Sequence, residues 1–128
     1  MSKSGRYSAD RKKIEALAAD KTVEVSDCGT IFICSAAITL TLPTAAAAGK
    51  GWWVRVVKAT AASGGAISVT ATSTLDGVGV DGNGVGIFLQ DDFTLHTDGN
   101  QGSLVEIVSD GTQYWAWGVA DTANGFSA

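Results

Sequence analysis

The chain has 128 residues, of which 45% are hydrophobic, with 16 glycines, one proline and a formal net charge of −4 at pH 7. This length predicts one domain able to bury a core, and the skew toward Gly, Ala, Ser, Thr and Val favours short strands over helices. The absence of a run of about 18 apolar residues excludes a hydrophobic membrane-spanning helix. The charged N-terminus without an apolar h-region predicts no signal peptide, so synthesis inside the cell is expected.

Positive charge is concentrated at the N-terminus. Five of the nine Lys and Arg residues lie among the first 13 positions, and none follows Lys58, whereas acidic residues continue to Asp121. The pattern predicts a basic N-terminal arm, residues 1–20, on an acidic body. Phosphate contacts require clustered Lys and Arg, so nucleic acid is not expected as the main partner, although the arm alone could touch it.

Within the arm, Ser8 can cap a helix that we predict from about Ala9 to Ala19. Ile14, Leu17 and Ala18 follow the i, i+3, i+4 spacing, which gives this helix one narrow apolar stripe. A helix this short is marginal alone in water. The stripe should therefore pack either on the chain's own sheet or on a partner.

Alternating apolar and polar residues predict a series of strands after the arm. Pro43 should end the third strand, because proline has no N–H for a ladder, and a segment of small residues, 44–51, should lead to the fourth. The predicted strands of this half are Thr22–Ser26, Thr30–Cys34, Ile38–Leu42 and Trp52–Lys58.

The second half continues with short strands and one clear hairpin. The segment Leu75–Gly86 is the richest in glycine, and we interpret it as turns and a weak edge strand. Asp110-Gly111 between two alternating runs predicts a β-hairpin from Ser103 to Gly118, since tight hairpin turns require positive φ angles. The other predicted strands are Ile67–Ala71, Ile87–Leu89 and Phe93–Thr97.

The total of nine or ten short strands predicts an all-β fold: a β-sandwich, a jelly roll or a small barrel. With the short helical arm in front, the predicted division is an arm at 1–20, a β body at 21–121 and a flexible tail at 122–128.

Residues capable of catalysis or metal binding do not form a recognisable pattern. His96 is the only histidine, and Cys28 and Cys34 are predicted to be free thiols. The segment 81–92 begins like a calcium loop, but Val85 occupies the fifth position, where an oxygen ligand is expected. We therefore predict no enzyme activity, no metal and no cofactor.

The four tryptophans are the remaining candidates for a functional cluster. Trp115 and Trp117 should share one face of their strand, with Tyr114 on the other. Because Trp is enriched in cores and interfaces, we predict that Trp52, Trp53, Trp115 and Trp117 serve as core or subunit contacts. The alternative is an exposed aromatic platform for sugars.

Three stretches together resemble small structural proteins of tailed bacteriophages. They are ADKTVEVSDCGTIFIC, ITLTLPTAAAAGKGWWVRVV and SLVEIVSDGTQYWAWG, and the resemblance covers about residues 20–120. Such domains occur as capsid decoration (cement) proteins and in tail fibres or spikes, and they are β-rich and usually trimeric. The short chain without a fibrous stalk favours a decoration protein.

The resemblance implies a homotrimer that binds the major capsid protein of the assembled shell and bridges its subunits, so that the protein would reside on the virion surface after synthesis in the host cytoplasm. No membrane partner is expected. The alternative is a receptor- or glycan-binding module of a tail fibre or spike. The basic arm is not matched to the family, and we assign capsid docking to Arg6, Tyr7, Arg11, Lys12, Lys13, Ile14 and Leu17.

Overall fold

A computed structural model describes residues 11–59, 65–84, 86–95, 102–120 and 125–127. The structure is mostly β, as the sequence predicts, and its strands form two mixed sheets. Within the described residues there are also one four-residue α-helix, α1 (Ala45–Ala48), and one 3-10 helix (Val25–Asp27). In chain order the strands are β1 (Lys13–Leu17), β2 (Lys21–Thr22), β3 (Thr30–Cys34), β4 (Thr39–Thr41), β5 (Lys50–Lys58), β6 (Ile67–Thr70), β7 (Leu75–Val80), β8 (Gly86–Leu89), β9 (Asp92–Leu95), β10 (Leu104–Asp110), β11 (Tyr114–Val119) and β12 (Phe126–Ser127).

The larger sheet has seven strands in the order β1-β3-β5-β10-β11-β7-β8. Strands β1, β3 and β5 run parallel, β10 is antiparallel to both β5 and β11, and β7 is parallel to β11 and antiparallel to β8. The smaller sheet has five strands in the order β12-β9-β6-β4-β2. Each sheet therefore joins strands that are distant in sequence.

The core is shared by the two sheets. Alternate residues of β5, among them Trp52, Val54 and Val56, are buried in it. Leu40 of β4 and Phe93 of β9 contribute to the same cluster from the smaller sheet. The period-2 pattern of the strands thus gives the larger sheet an inner face toward this core and an outer face away from it.

The segment of small residues between Pro43 and β5 contains the short helix α1, whereas no helix was predicted there. The Thr44 hydroxyl accepts a hydrogen bond from the Ala47 N–H at 3.2 Å and caps the helix. The Ser109 hydroxyl donates to the Ala45 carbonyl at 3.1 Å, and the Tyr114 hydroxyl donates to the Pro43 carbonyl. These bonds attach the connection to β10 and β11.

The helix predicted from Ala9 to Ala19 is wrong for the described part, residues 11–19. Lys13–Leu17 is instead the edge strand β1, whose register with β3 pairs Ile14 with Ile31. In a strand Ile14 and Leu17 point to opposite faces, so they form no common stripe. The backbone hydrogen bonds to β3 stabilise this segment as a strand, whereas a short isolated helix would be only marginally stable. The predicted arm is therefore, over these residues, part of the larger sheet.

Two further segments, one near the start and one at the end of the chain, differ from the predicted structure. The strand predicted at Thr22–Ser26 ends at Thr22, because the Asp27 carboxylate accepts a bond from the Glu24 N–H at 2.8 Å and starts the 3-10 helix. At the other end, Phe126–Ser127 pairs with β9 as strand β12, although residues 122–128 were predicted to be a flexible tail.

The glycine-rich segment Leu75–Gly86 is the clearest difference. Six of its residues form β7, which lies inside the larger sheet between β11 and β8. Gly79 is paired with Gly118, and the Phe126 ring lies against both: a Cβ on Gly79 would be 2.7 Å from it. Gly79 and Gly118 therefore make room for an aromatic ring. The predicted turn is found only after β7, where the Gly84 N–H donates to the Asp81 carbonyl at 2.9 Å.

Candidate functional site

The outer face of the larger sheet carries an exposed group of large apolar side chains. Trp115, Trp117 and Val119 alternate along β11 and are 45%, 51% and 60% exposed. The register with β7 places Val78 beside Trp117 and Val80 beside Val119, and both valines are also exposed. We refer to these five residues as the Trp–Val patch.

The patch continues onto β10 and β5 through a charged pair. Glu106 of β10 lies between Trp117 and Arg55 in the registers of the two strand pairs. The Arg55 guanidinium is 2.8 Å from the Glu106 carboxylate and lies 5.7 Å from the centroid of the Trp53 ring. Both charges on this part of the outer face are therefore engaged with each other.

The Trp115 indole is held in place by a hydrogen bond to the hairpin turn. Its Nε1–H donates to the Asp110 carboxylate at 2.8 Å. The other oxygen of that carboxylate accepts the N–H groups of Thr112 and Gln113. The bond from the Gln113 N–H, followed by those from Trp115 and Thr112, lowers the pKa of Asp110 below its usual value.

A shallow groove of about 440 Å³ lies between β7 and β11. Its walls are almost entirely carbon, because the side chains of Trp115, Trp117 and Val78 form them. Polar atoms occur only at one end, where the Gln113 amide donates to the Asp76 carboxylate at 3.3 Å. Such a groove suits an apolar side chain or another flat apolar surface. Its lining residues are Asp76, Gly77, Val78, Trp115, Ala116 and Trp117.

The four predicted tryptophans occupy different environments. Trp52 is in the core, where its Nε1–H donates to the Val25 carbonyl at 3.0 Å. Its ring lies 5.9 Å from that of Tyr114, and burial raises the pKa of Tyr114 to about 12. Trp53 is half-buried on the outer face, whereas Trp115 and Trp117 are exposed there.

The described residues of the predicted docking arm lie at the opposite edge of the same sheet. Arg11, Lys12, Lys13 and Ile14 are exposed, while Leu17 packs against the core. Ile14 is on the outer face, about 19 Å from β11 if four strand spacings of about 4.8 Å are counted. The remaining two predicted arm residues, Arg6 and Tyr7, lie outside the described residues.

Polar clusters elsewhere have structural explanations. A second groove of about 450 Å³ is lined by Thr74, Asp76, Gln90, Asp91 and Asp92, but the Asp91 carboxylate accepts the Leu75 N–H at 2.8 Å. No group of three or more His, Cys, Asp or Glu residues suited to a metal ion occurs in the described part of the chain. His96, considered above, lies outside that part.

Both cysteines are free thiols. Cys28 is exposed and Cys34 is buried in the core. Burial raises the pKa of the Cys34 thiol to about 11, so this thiol remains protonated and unreactive near neutral pH.

Sequence reasoning missed the part of the patch that β7 contributes. The alternation of Gly77, Val78, Gly79 and Val80 was the available signal, but the glycine content favoured turns. The exposure of the valines became visible only once β7 was placed next to β11.

Comparisons with protein-family models, curated proteins and solved structures found no match to this chain. Among the residues that the structure describes, no helix has the length and apolar character needed to span a membrane.

Proposed function

We propose that this chain is a capsid decoration protein without enzymatic activity. In this proposal its two sheets form a β-sandwich or jelly-roll body, copies of the chain assemble as a homotrimer, and the assembly binds the major capsid protein on the virion surface. Binding to the assembled shell but not to its separated subunits stabilises the shell by mass action.

The observation that carries the proposal is the Trp–Val patch. Exposed apolar patches of several hundred Å² mark interaction sites on soluble proteins, and the patch contains two half-exposed indoles of the kind that dominates binding energy at interfaces. Such a surface supports an interaction protein better than a catalyst.

A protein that bridges capsid subunits needs more than one contact surface. The basic residues Arg11, Lys12 and Lys13 are exposed at the β1 edge, four strands away from the Trp–Val patch on β11. One surface is therefore available for acidic capsid patches while the other contacts a different partner. This separation supports the assignment of capsid docking to the arm.

The test is co-sedimentation with assembled capsids of the virus that encodes the chain. Arg11→Glu, Lys12→Glu and Lys13→Glu combined should abolish capsid binding and leave the body folded by circular dichroism. The matched control is Arg11→Lys, Lys12→Arg and Lys13→Arg combined, which preserves the charges and should bind like wild type. Unchanged capsid occupancy of the Glu variant would refute docking through the arm.

A second candidate function is a receptor- or glycan-binding module of a tail fibre or spike. The observation in its favour is that Trp115 and Trp117 expose their rings on one strand, about 6.8 Å apart along it, with Asp76 and Gln113 at the margin. Aromatic faces next to polar groups can hold sugar rings. A glycan array probed with wild type and with the Trp115→Ala, Trp117→Ala variant tests it, and the absence of tryptophan-dependent binding would remove it.

A further inference from the structure

We propose that the outer face of the larger sheet, centred on Trp117, is the surface through which one copy of this chain binds a second copy. The inference deepens the proposed function and rests on the assembly of like copies that it assumes. It assigns that assembly to one surface and leaves the basic β1 edge for the capsid.

The outer face exposes enough apolar area for a contact between two copies. At their exposures, the two indoles and three valines of the Trp–Val patch offer roughly 400–500 Å² of apolar surface, taking about 250 Å² for a whole Trp side chain. Half-buried Trp53, Val57, Leu104 and Val108 extend this surface across β5 and β10. The apolar total is then about 500–750 Å², somewhat below the roughly 800 Å² per partner that a standard stable protein interface buries.

The charge distribution of the chain also favours a contact between copies at this face. The chain carries a net charge of −4, so two copies repel each other over most of their surfaces. At the centre of the outer face Arg55 and Glu106 neutralise each other at 2.8 Å, and their neighbours across the sheet are apolar. A partner with a strong charge of either sign would find no complement at this centre, whereas a second copy meets a centre that is neutral like its own, with the carboxylates of Asp76 and Asp110 only at the margin.

The shape of the outer face suits packing against a second sheet. The patch lies on adjacent paired strands in the interior of a seven-stranded sheet, and the groove of about 440 Å³ between β7 and β11 can receive a large apolar side chain. Sheets pack face to face when their apolar side chains interdigitate. The nearly all-carbon walls of the groove fit such a contact better than they fit the hydroxyl groups of a sugar.

The experiment measures the native mass of the full-length protein by light scattering and sedimentation at concentrations up to about 100 μM, where a micromolar interface is occupied. Wild type should have a multiple of the 13.1 kDa chain mass. Val119→Glu, at the most exposed residue of the patch, and Trp117→Ala should each reduce the mass to that of one chain. Circular dichroism and thermal unfolding establish that the variants are folded.

The matched control is Val25→Glu. Val25 is likewise an exposed valine, at 45%, but it belongs to the 3-10 helix between β2 and β3, so the variant should keep the wild-type mass. A monomeric wild type, or folded Val119→Glu and Trp117→Ala variants that remain multimeric, would overturn the inference. Capsid co-sedimentation of wild type is read separately: a multimer that does not bind capsids refutes the proposed function and leaves the self-association surface intact.

Discussion

The contact between Phe126 and the paired glycines Gly79 and Gly118 allows a quantitative test of the fold. Phe126 is buried and belongs by its backbone to the smaller sheet, through β9. Its ring lies against the larger sheet, where a Cβ on Gly79 would be within 2.7–2.9 Å of three ring carbons. The ring therefore connects the two sheets, and it fits there because Gly79 has no side chain.

The perturbation is Gly79→Ala. Forcing a methyl group into a packed site costs about 1–3 kcal/mol, while replacing glycine inside a strand returns about 0.5–1 kcal/mol of backbone entropy. We expect a net loss of about 1–2 kcal/mol in the free energy of unfolding. Phe126→Ala removes a buried aromatic ring and should cost about 3–5 kcal/mol.

The double variant separates the clash from other effects. Without the ring, the three atoms nearest to the added methyl group of Gly79→Ala are gone, so this substitution should be neutral or slightly stabilising in the Phe126→Ala background. The interaction energy between the two sites should then be about 1–3 kcal/mol, within the range for residues in contact.

The control is Gly86→Ala on the neighbouring strand β8, where the nearest atom to an added Cβ is a Val78 methyl carbon at an ordinary 3.5 Å. The assay is equilibrium unfolding in urea, followed by tryptophan fluorescence at one fixed protein concentration, since association with other copies would add to stability. Strictly additive costs of Gly79→Ala and Phe126→Ala would refute the contact, and so would a Gly86→Ala loss as large as that of Gly79→Ala.

Three further predictions concern the two cysteines, Tyr114 and Asp110. A thiol reagent at pH 8 should label Cys28 alone, because burial and a pKa of about 11 protect Cys34; mass spectrometry showing two labels on native protein would contradict this. Tyr114→Phe should cost about 1 kcal/mol in urea unfolding, because the Pro43 carbonyl loses its hydrogen-bond partner. The unfolded phenol ionises above pH 10, before the folded phenol, whose pKa is about 12. Wild type should therefore lose stability above pH 10, and Tyr114→Phe should weaken that loss. Because the pKa of Asp110 is lowered in the folded state, its ionised carboxylate stabilises the fold at pH values above the ordinary aspartate range. This stabilisation is lost as pH falls through the folded pKa, so Asp110→Asn should make the free energy of unfolding less dependent on pH on the acid side.

Strands with strong β-formers and clear alternation could be predicted from the sequence. Thr30–Cys34 is strand β3, and the hairpin of β10 and β11 forms around the predicted Asp110-Gly111 position. Its turn extends to Gln113, whose carbonyl accepts the Asp110 N–H, and is therefore longer than the two-residue turn expected there. Local pattern was sufficient for the hairpin because its two strands are consecutive in sequence and pair directly.

The elements that were missed depend on partners distant in sequence. Two apolar residues, Ile14 and Leu17, fit a helix and a strand equally well, and only β3 decides between them. The β7 strand is stabilised by β11 and by Phe126, about 50 residues away from Gly79 in sequence. Propensity describes each segment alone, and such long-range pairing overrides it.

The orientation of the two faces of β11 illustrates why the candidate site could not be fully predicted. Alternation places Trp115 and Trp117 on one face and Tyr114 with Gly118 on the other, but it does not say which face is buried. The structure buries the face with the smaller total bulk, because a Cβ at Gly118 would already lie 3.0 Å from Phe126. Larger side chains would not fit between the sheets, so the two indoles remain outside.

Self-association through Trp117 and the binding of sugars make mutually exclusive demands on that exposed face. If copies of the chain meet through Trp117, the rings of Trp115 and Trp117 are covered in the assembly and cannot stack on sugars; capsid contact must then come from the basic residues at the β1 edge. If the chain is a monomer, the same rings stay open, and an apolar surface of this size requires another occupant. The oligomeric state and its dependence on Trp117 therefore decide whether sugars can reach this face, whereas the decoration function is decided by capsid binding itself.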